Sequence, residues 1–181
     1  MSMSVDDEDE ERAPVRLSGF DSSALSALDL LALASRAAAR IACEQSLAVE
    51  AAARLLEQAA LSETTVWVAG DAADEHTRRF EAAGHRTATL VDLNRLPQRV
   101  HQGDLLFVTA VDEAPLPLLL EASRRGVDII VFTGAERIDF DAGVVLFVAC
   151  QDPRAVELTH SFVVTALCAQ SVDLDQAESA A

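Results

Sequence analysis

The sequence predicts an α/β protein in which a doubly wound, five-stranded parallel sheet carries helices on both faces, preceded by an N-terminal helical segment. Three observations predict it. From Thr64 onward, short apolar runs alternate with stretches of helical periodicity, the pattern of a parallel sheet with crossover helices. The run Asp104 to Ala110 is almost wholly apolar, as a strand covered on both faces must be. Before Thr64, no Gly or Pro interrupts the chain from Asp21 through Ala69, and leucines recur at helical spacing.

The elements follow in order. Residues 1–18 carry Asp6-Asp7-Glu8-Asp9-Glu10-Glu11, a like-charge block that repels itself and has little to bury. A disordered acidic tail is expected there, with docking to a basic protein partner as its sharper reading. A single domain is expected over 19–175, with helices within 21–62 and the sheet within 64–175. Asp21 or Ser22 can cap the first helix, over 22–42; a second follows over 46–60, unless the two form one long bent helix. The first helix is apolar around most of its circumference (Ala24, Leu25, Ala27, Leu28, Leu30, Leu31), so it requires burial. A subunit interface is the expected place, making the protein a homo-oligomer, dimer or tetramer, through this helix.

Strands are then expected at Thr65–Ala69, Arg86–Val91, Asp104–Ala110, Asp128–Phe132 and Val144–Val148. The helices between them are Asp74–Ala83, stopped by Gly84, and Pro115–Arg125, with Pro near its first turn and Gly126 at its end. A short helix or turn containing Pro97 occupies Leu93–Val100, a last helix runs over Pro153–Ser171, and residues 176–181 form a disordered C-terminal tail.

Composition excludes several function classes. The net charge is −16, against nonspecific binding to nucleic acid or to an anionic membrane. The 14 basic residues are all arginine, so there is neither a Schiff-base lysine nor a P-loop lysine. Cys43, Cys150 and Cys168 form no CxxC pair, and Cys150 and Cys168 fall in apolar patterns that predict buried thiols. A reducing cytoplasm fits them. The N-terminus has no signal-peptide pattern, and no apolar run is long enough to span a membrane.

The candidate site follows from the strand–loop–helix junction Thr65 to Phe80. In an open parallel sheet, ligands bind beyond the carboxyl ends of the strands, where helix N-terminal amides suit anions. The first loop there is Gly70-Asp71-Ala72-Ala73-Asp74-Glu75, and the loop after the third strand is Thr109-Ala110-Val111-Asp112-Glu113-Ala114. Gly70, Asp71, Ala72 and Ala73 are therefore candidate ligand-loop residues, and Thr109, Asp112 and Glu113 join them through the family resemblance given next. Glu157 and His160, at i and i+3 and so on one face of the last helix, are further polar candidates that the same resemblance implies.

The order of five segments resembles the sugar isomerase (SIS) domain family. They are Val66-Trp-Val-Ala-Gly70, Gly103-Asp-Leu-Leu-Phe-Val108, Glu121 to Gly134, Asp141 to Val148, and Arg154 to Cys168. The resemblance runs from about Asp21 to Asp173 and is to the phosphoheptose isomerase-like branch, which includes replication-initiator-associating proteins. It implies a Rossmann-like sheet of flavodoxin type and, in the family, binding and aldose–ketose isomerisation of a sugar phosphate. The family's first loop reads roughly G-N-G-G-S-A and its second S-T-S-G-x-S. Here the glycines and serines are replaced and carboxylates enter. Like charges about 4 Å apart at an effective dielectric near 20 cost roughly 4 kcal/mol, so these loops disfavour a phosphate.

The family's catalytic Glu falls at Ala83 or Gly84, with Glu81 close by, and its catalytic His falls at Thr165. Glu157 and His160 partly keep a Q-x-x-H pattern that in some isomerases of the branch contributes to a metal site, and His76 could join them. Two ligands on one helix make a weaker pattern than a three-ligand zinc site, so no metal or other cofactor is expected, and no catalytic residue is assigned. His85 and His101 flank turns and are expected to be solvated. Ser161 has only the adjacent His160 as a candidate base, which a helix points elsewhere. The resulting expectation is a non-catalytic SIS-like domain, an oligomeric scaffold, regulator or carbohydrate-derivative-binding protein with an eroded site. The alternative is a working phosphosugar isomerase or phosphosugar sensor with an unusual loop.

Overall fold

The structure, a computed structural model, describes residues 25–134, 138 and 140–178, with the side chains of 170–178 excepted. The acidic tail 1–18, the caps expected at Asp21 or Ser22 and residues 179–181 lie outside the described residues. Strands β1 (Val66–Gly70), β2 (Thr87–Thr89), β3 (Leu105–Ala110), β4 (Asp128–Thr133) and β5 (Val144–Phe147) form one parallel sheet of order β2-β1-β3-β4-β5. The expected doubly wound sheet is thus present, and the reversal of strand order falls between β1 and β3.

Two helices precede the sheet. Helix α1 (Ala27–Glu44) opens with a capping box: the Ser26 hydroxyl accepts from the Asp29 amide, and the Asp29 carboxylate accepts from the Ser26 amide. Gln45 separates it from α2 (Ser46–Leu61), so there are two helices and not one bent one. The remaining helices are α3 (Ala73–Ala82), α4 (Leu116–Arg124) and α5 (Pro153–Glu178). Helices α1, α2, α3 and α5 cover one face, over Val66, Val68, Phe107, Ile130 and Phe132. Helix α4 and the 90–100 segment cover the other, over Trp67, Leu106, Val108 and Val131.

Two expectations are corrected, the length of β2 and the end of the last helix. Strand β2 is shorter than Arg86–Val91, because it is an edge strand paired only with β1, and the chain has left the sheet by Val91, which is 94% exposed. The Leu93–Val100 segment takes the turn alternative, with the Val100 amide donating to the Pro97 carbonyl. It is held from outside: Glu121 accepts from the Leu96 amide, and Arg125 donates to the Leu96 and Pro97 carbonyls. Helix α1 buries Ala34, Ala37 and Ile41 and lies against α5, with Leu28 and Leu31 exposed. Finally, α5 continues past Ser171 to Glu178, so part of the stretch expected as a tail is helical.

Gln45 has a distinct structural task at the free edge of β5. Its carboxamide donates to the Phe147 carbonyl (2.6 Å) and accepts from the Phe147 amide (2.9 Å). A side chain thus supplies one rung of ladder where the sheet runs out of strands.

Candidate functional site

The site is assembled at the carboxyl ends of β1, β3 and β4. Gly70 ends β1 at φ +93°, and a Cβ there would lie 1.9 Å from the Thr109 carbonyl oxygen, so only glycine fits. Gly134, just after β4, is excluded from bearing a side chain in the same way, by the Val111 carbonyl at 2.0 Å. The three strand ends therefore press backbone against backbone.

Asp71 ties the two loops together. Its amide donates to the Thr109 carbonyl (2.9 Å), and its own carbonyl accepts from the Thr109 hydroxyl. Its carboxylate Oδ2 accepts from the Val111 amide at 2.7 Å, a charge-assisted bond between the first loop and the second. Ala72 follows in the left-handed region at φ 55°, and α3 begins at Ala73 without a side-chain cap. Asp74 and Glu75 occupy its first turn, where they complement the helix dipole.

These contacts decide what the loops offer a ligand. The Thr109 hydroxyl is fully buried and already donates. The Val111 amide is already matched with a carboxylate. Asp112 and Glu113 are exposed on the second loop, and Asp74 is exposed on the first. Glu75 is ion-paired with Arg79, whose guanidinium holds its carboxyl below the usual range. Of the sequence-derived ligand-loop residues, Asp71 and Thr109 are bonded directly to each other, and Asp71 also holds the Val111 amide.

An open cleft of about 490 Å³ lies to one side, between the first turns of α3 and the end of β2. Gly70, Ala72, Ala73 and Asp74 line it together with Arg78, Thr89, Leu90 and Leu93. Thr109, Asp112 and Glu113 do not. Arg78 and Thr89 escaped the sequence reading because neither belongs to a strand-end loop by pattern.

On the last helix, Glu157 and His160 part company: Glu157 is exposed, and His160 is buried. Their spacing suggested a shared face, but α5 packs its His160 side on the sheet. His160 stands edge-on to Phe132 (5.6 Å between centroids), and His76 stands edge-on to Phe107 (6.2 Å), with the two phenyl rings 5.3 Å apart. Burial pushes both imidazoles down to about 4, with the neighbouring His76 lowering His160 further. His76 Nδ1 and His160 Nε2 make no hydrogen bond. Among the described residues, no three His, Cys, Asp or Glu side chains are placed to share a metal ion, so the residues do not fit the metal set that the resemblance implies. His85 is buried against Phe80, not solvated as expected, and burial lowers its pKa; His101 is exposed.

The positions matching the family's general base and acid carry no acid–base pair. Ala83 is the C-terminal cap of α3, and Glu81 is exposed and accepts from the Thr87 hydroxyl (2.9 Å). Thr165 accepts from Arg79 and donates to the Ser161 carbonyl (2.7 Å). Arg79 thereby bridges α3 and α5 where the resemblance would place chemistry.

The sequence matches no protein-family model and no curated protein. Solved structures do match. A phosphoheptose isomerase from Neisseria gonorrhoeae aligns at TM-score 0.63 and 18% identity, over 78% of this chain and 94% of its own. One from Francisella tularensis aligns at TM-score 0.61 and 17% identity, over 83% and 100%. The sugar isomerase domain of an RpiR transcription factor from Sphaerobacter thermophilus aligns at TM-score 0.59 and 18% identity, over 83% and 91%. Enzymes and a regulator share this one architecture.

Proposed function

We propose that this chain, whose fold is that of the sugar isomerase domains, is a non-catalytic member of that group. In this reading it works in the cytoplasm as an oligomeric scaffold or regulator, and its phosphosugar site is eroded. The observation that carries the reading is the Asp71 carboxylate on the Val111 amide, with the Thr109 hydroxyl on the Asp71 carbonyl. Three donors of the two loops, the Asp71 amide, the Thr109 hydroxyl and the Val111 amide, are matched within the chain, and Asp74, Asp112 and Glu113 are exposed carboxylates on the same loops. The absence of an acid–base pair at Glu81, Ala83 and Thr165 supports it from the chemical side. The occurrence of the same fold in a transcription factor supports a regulatory use.

Calorimetry with sedoheptulose 7-phosphate tests this. No heat of binding is expected, and affinity tighter than about 100 μM would overturn the reading. An isomerase assay on the same sugar phosphate is expected to stay at background.

Assembly is part of the proposal. Leu28 (77% exposed) and Leu31 (44%) leave apolar surface on α1 after its other stripe is buried on α5. A second copy of this chain is the proposed cover. Light scattering at micromolar concentration should give a dimer or tetramer, and Leu28→Glu with Leu31→Glu should give the monomer. A monomeric wild-type chain would refute it.

A further inference from the structure

We infer that the free edge of β2 is a docking strand for a second copy of this chain, paired antiparallel across a two-fold axis at Thr89. The inference rests on the proposed assembly through α1 and adds the contact that joins two α1 dimers into a tetramer.

The two edges of the sheet are finished differently. At β5, Gln45 occupies both the amide and the carbonyl of Phe147. Among the described residues, no strand lies beyond β2. The Arg86 carbonyl accepts from the Val66 amide (2.8 Å) and the Leu90 amide donates to the Val68 carbonyl (2.7 Å), so the even-numbered residues here face β1. Thr87 and Thr89 alternate with them and turn their amides and carbonyls outward. No proline or glycine lies between Arg86 and Asp92 to obstruct an incoming strand. Thr87, Thr89 and Val91 are β-branched, which suits strand pairing, and Val91 is 94% exposed.

Charge selects the partner and the register. Arg86 stands three residues before Thr89 and Asp92 three residues after it, and both are exposed. In an antiparallel pair centred on Thr89, Arg86 of each copy lies opposite Asp92 of the other, and Thr87 lies opposite Val91. Centred on Ala88 instead, Arg86 faces Leu90 and Asp92 faces Gly84, and the charges go unmatched. Opposite charges across a strand pair attract, and like charges there repel. A two-fold pair also ends itself, because Gln45 already closes the other edge of each sheet. An edge this short is weak alone, but two such contacts act together when α1 dimers meet. Thr89, Leu90 and Val91 also line the cleft beside α3, so the second copy lies along its rim.

The test is sedimentation of the full chain from about 1 to 200 μM, for wild type, Arg86→Asp, Asp92→Arg and the double swap. Wild type is expected to reach a tetramer. Either single variant sets like charges opposite each other and should weaken tetramer formation at least about tenfold, leaving the dimer. Asp92→Arg is the sharper of the two. It lowers the net negative charge, so it would strengthen association if general repulsion governed it. The double swap should restore the tetramer. Single variants that assemble like wild type, or a double swap that does not recover, overturn the inference. A wild type that stays dimeric, and becomes monomeric with Leu28→Glu and Leu31→Glu, overturns it and leaves the α1 reading standing. A wild-type monomer overturns both. Should a charge variant fail to fold, Thr89→Pro decides. It removes one outward amide and no bond to β1, so loss of the tetramer supports the inference and an intact tetramer sinks it.

Discussion

On one face of the sheet, Val66, Val68, Phe107 and Phe132 lie under α1, α2, α3 and α5; on the other, Trp67, Leu106, Val108 and Val131 lie under α4 and the 90–100 segment. Both faces are covered by apolar clusters, yet they treat polar atoms differently. The second face buries the indole N–H of Trp67 and matches it with Asp104 at 3.0 Å. The same carboxylate accepts from the Thr65 amide (3.1 Å) and the His101 amide (2.9 Å), at the amino ends of the strands. The first face buries His76, His85 and His160 and leaves ring nitrogens of all three without a partner. One face is therefore stitched by a matched carboxylate, and the other holds imidazoles that burial keeps neutral until about pH 4 at His76 and His160. A covered sheet needs only apolar layers for stability. The exceptions mark where the two faces differ in what breaks them.

Acid should break the first face, with the largest effect. His76 and His160 are pushed down to about 4 from an ordinary value near 6.5, chiefly by burial. The unfolded chain therefore takes up protons before the folded one does. Stability is full above about pH 6.5, falls as the pH drops, and stops falling from this source below about pH 4. Each histidine is worth about 3 kcal/mol over that range, so together they consume much of an ordinary domain's stability. Thermal melts at steps of pH check this, and His160→Phe should remove about half of the slope. A melting temperature that stays flat from pH 7 to pH 4.5 would refute the account of the buried imidazoles.

The second face should be broken by one substitution. Asp104→Ala strands three donors, including the buried indole N–H. An expected loss of about 3 kcal/mol follows from leaving such groups unmatched. The chain has one tryptophan, so urea melts read by Trp67 emission report the event locally. The loss should be the same at pH 7 and pH 5, because it does not pass through the histidines. A loss that grows in acid would mean that the two faces are coupled.

The fold was legible because its carriers are local. The apolar run Leu105–Ala110 and the turns at Gly84 and Gly126 need no knowledge of distant residues, and the strands and helices they predict are present. Strand β2 was overextended because Leu90 and Val91 are as apolar as any strand residue, and only its edge position shows that the pairing stops. The loops were legible in composition but not in geometry. Carboxylates at 71, 74, 112 and 113 are plain in the sequence, but that Asp71 bonds across to Val111 depends on a contact 40 residues apart. His85 and His160 were misread for the same reason. Turn flanks and helix spacing say nothing about which side the sheet covers.

The smallest expected effect tests the edge where the first face ends. Gln45 lies between α1 and α2, and its carboxamide closes Phe147 from both sides, donor and acceptor. Replacement by alanine removes two bonds from a half-buried strand edge, so a loss of about 1–2 kcal/mol is expected. The more telling change is in behaviour. An edge strand whose amide and carbonyl are uncovered becomes a template for another chain. Gln45→Ala should therefore lower the melting temperature slightly and raise light scattering on prolonged incubation, while Gln45→Glu keeps the acceptor and loses the donor. If Gln45→Glu protects against scattering as well as the wild type does, the amide of Phe147 is the group that needed covering; if it scatters like the alanine variant, the carbonyl is.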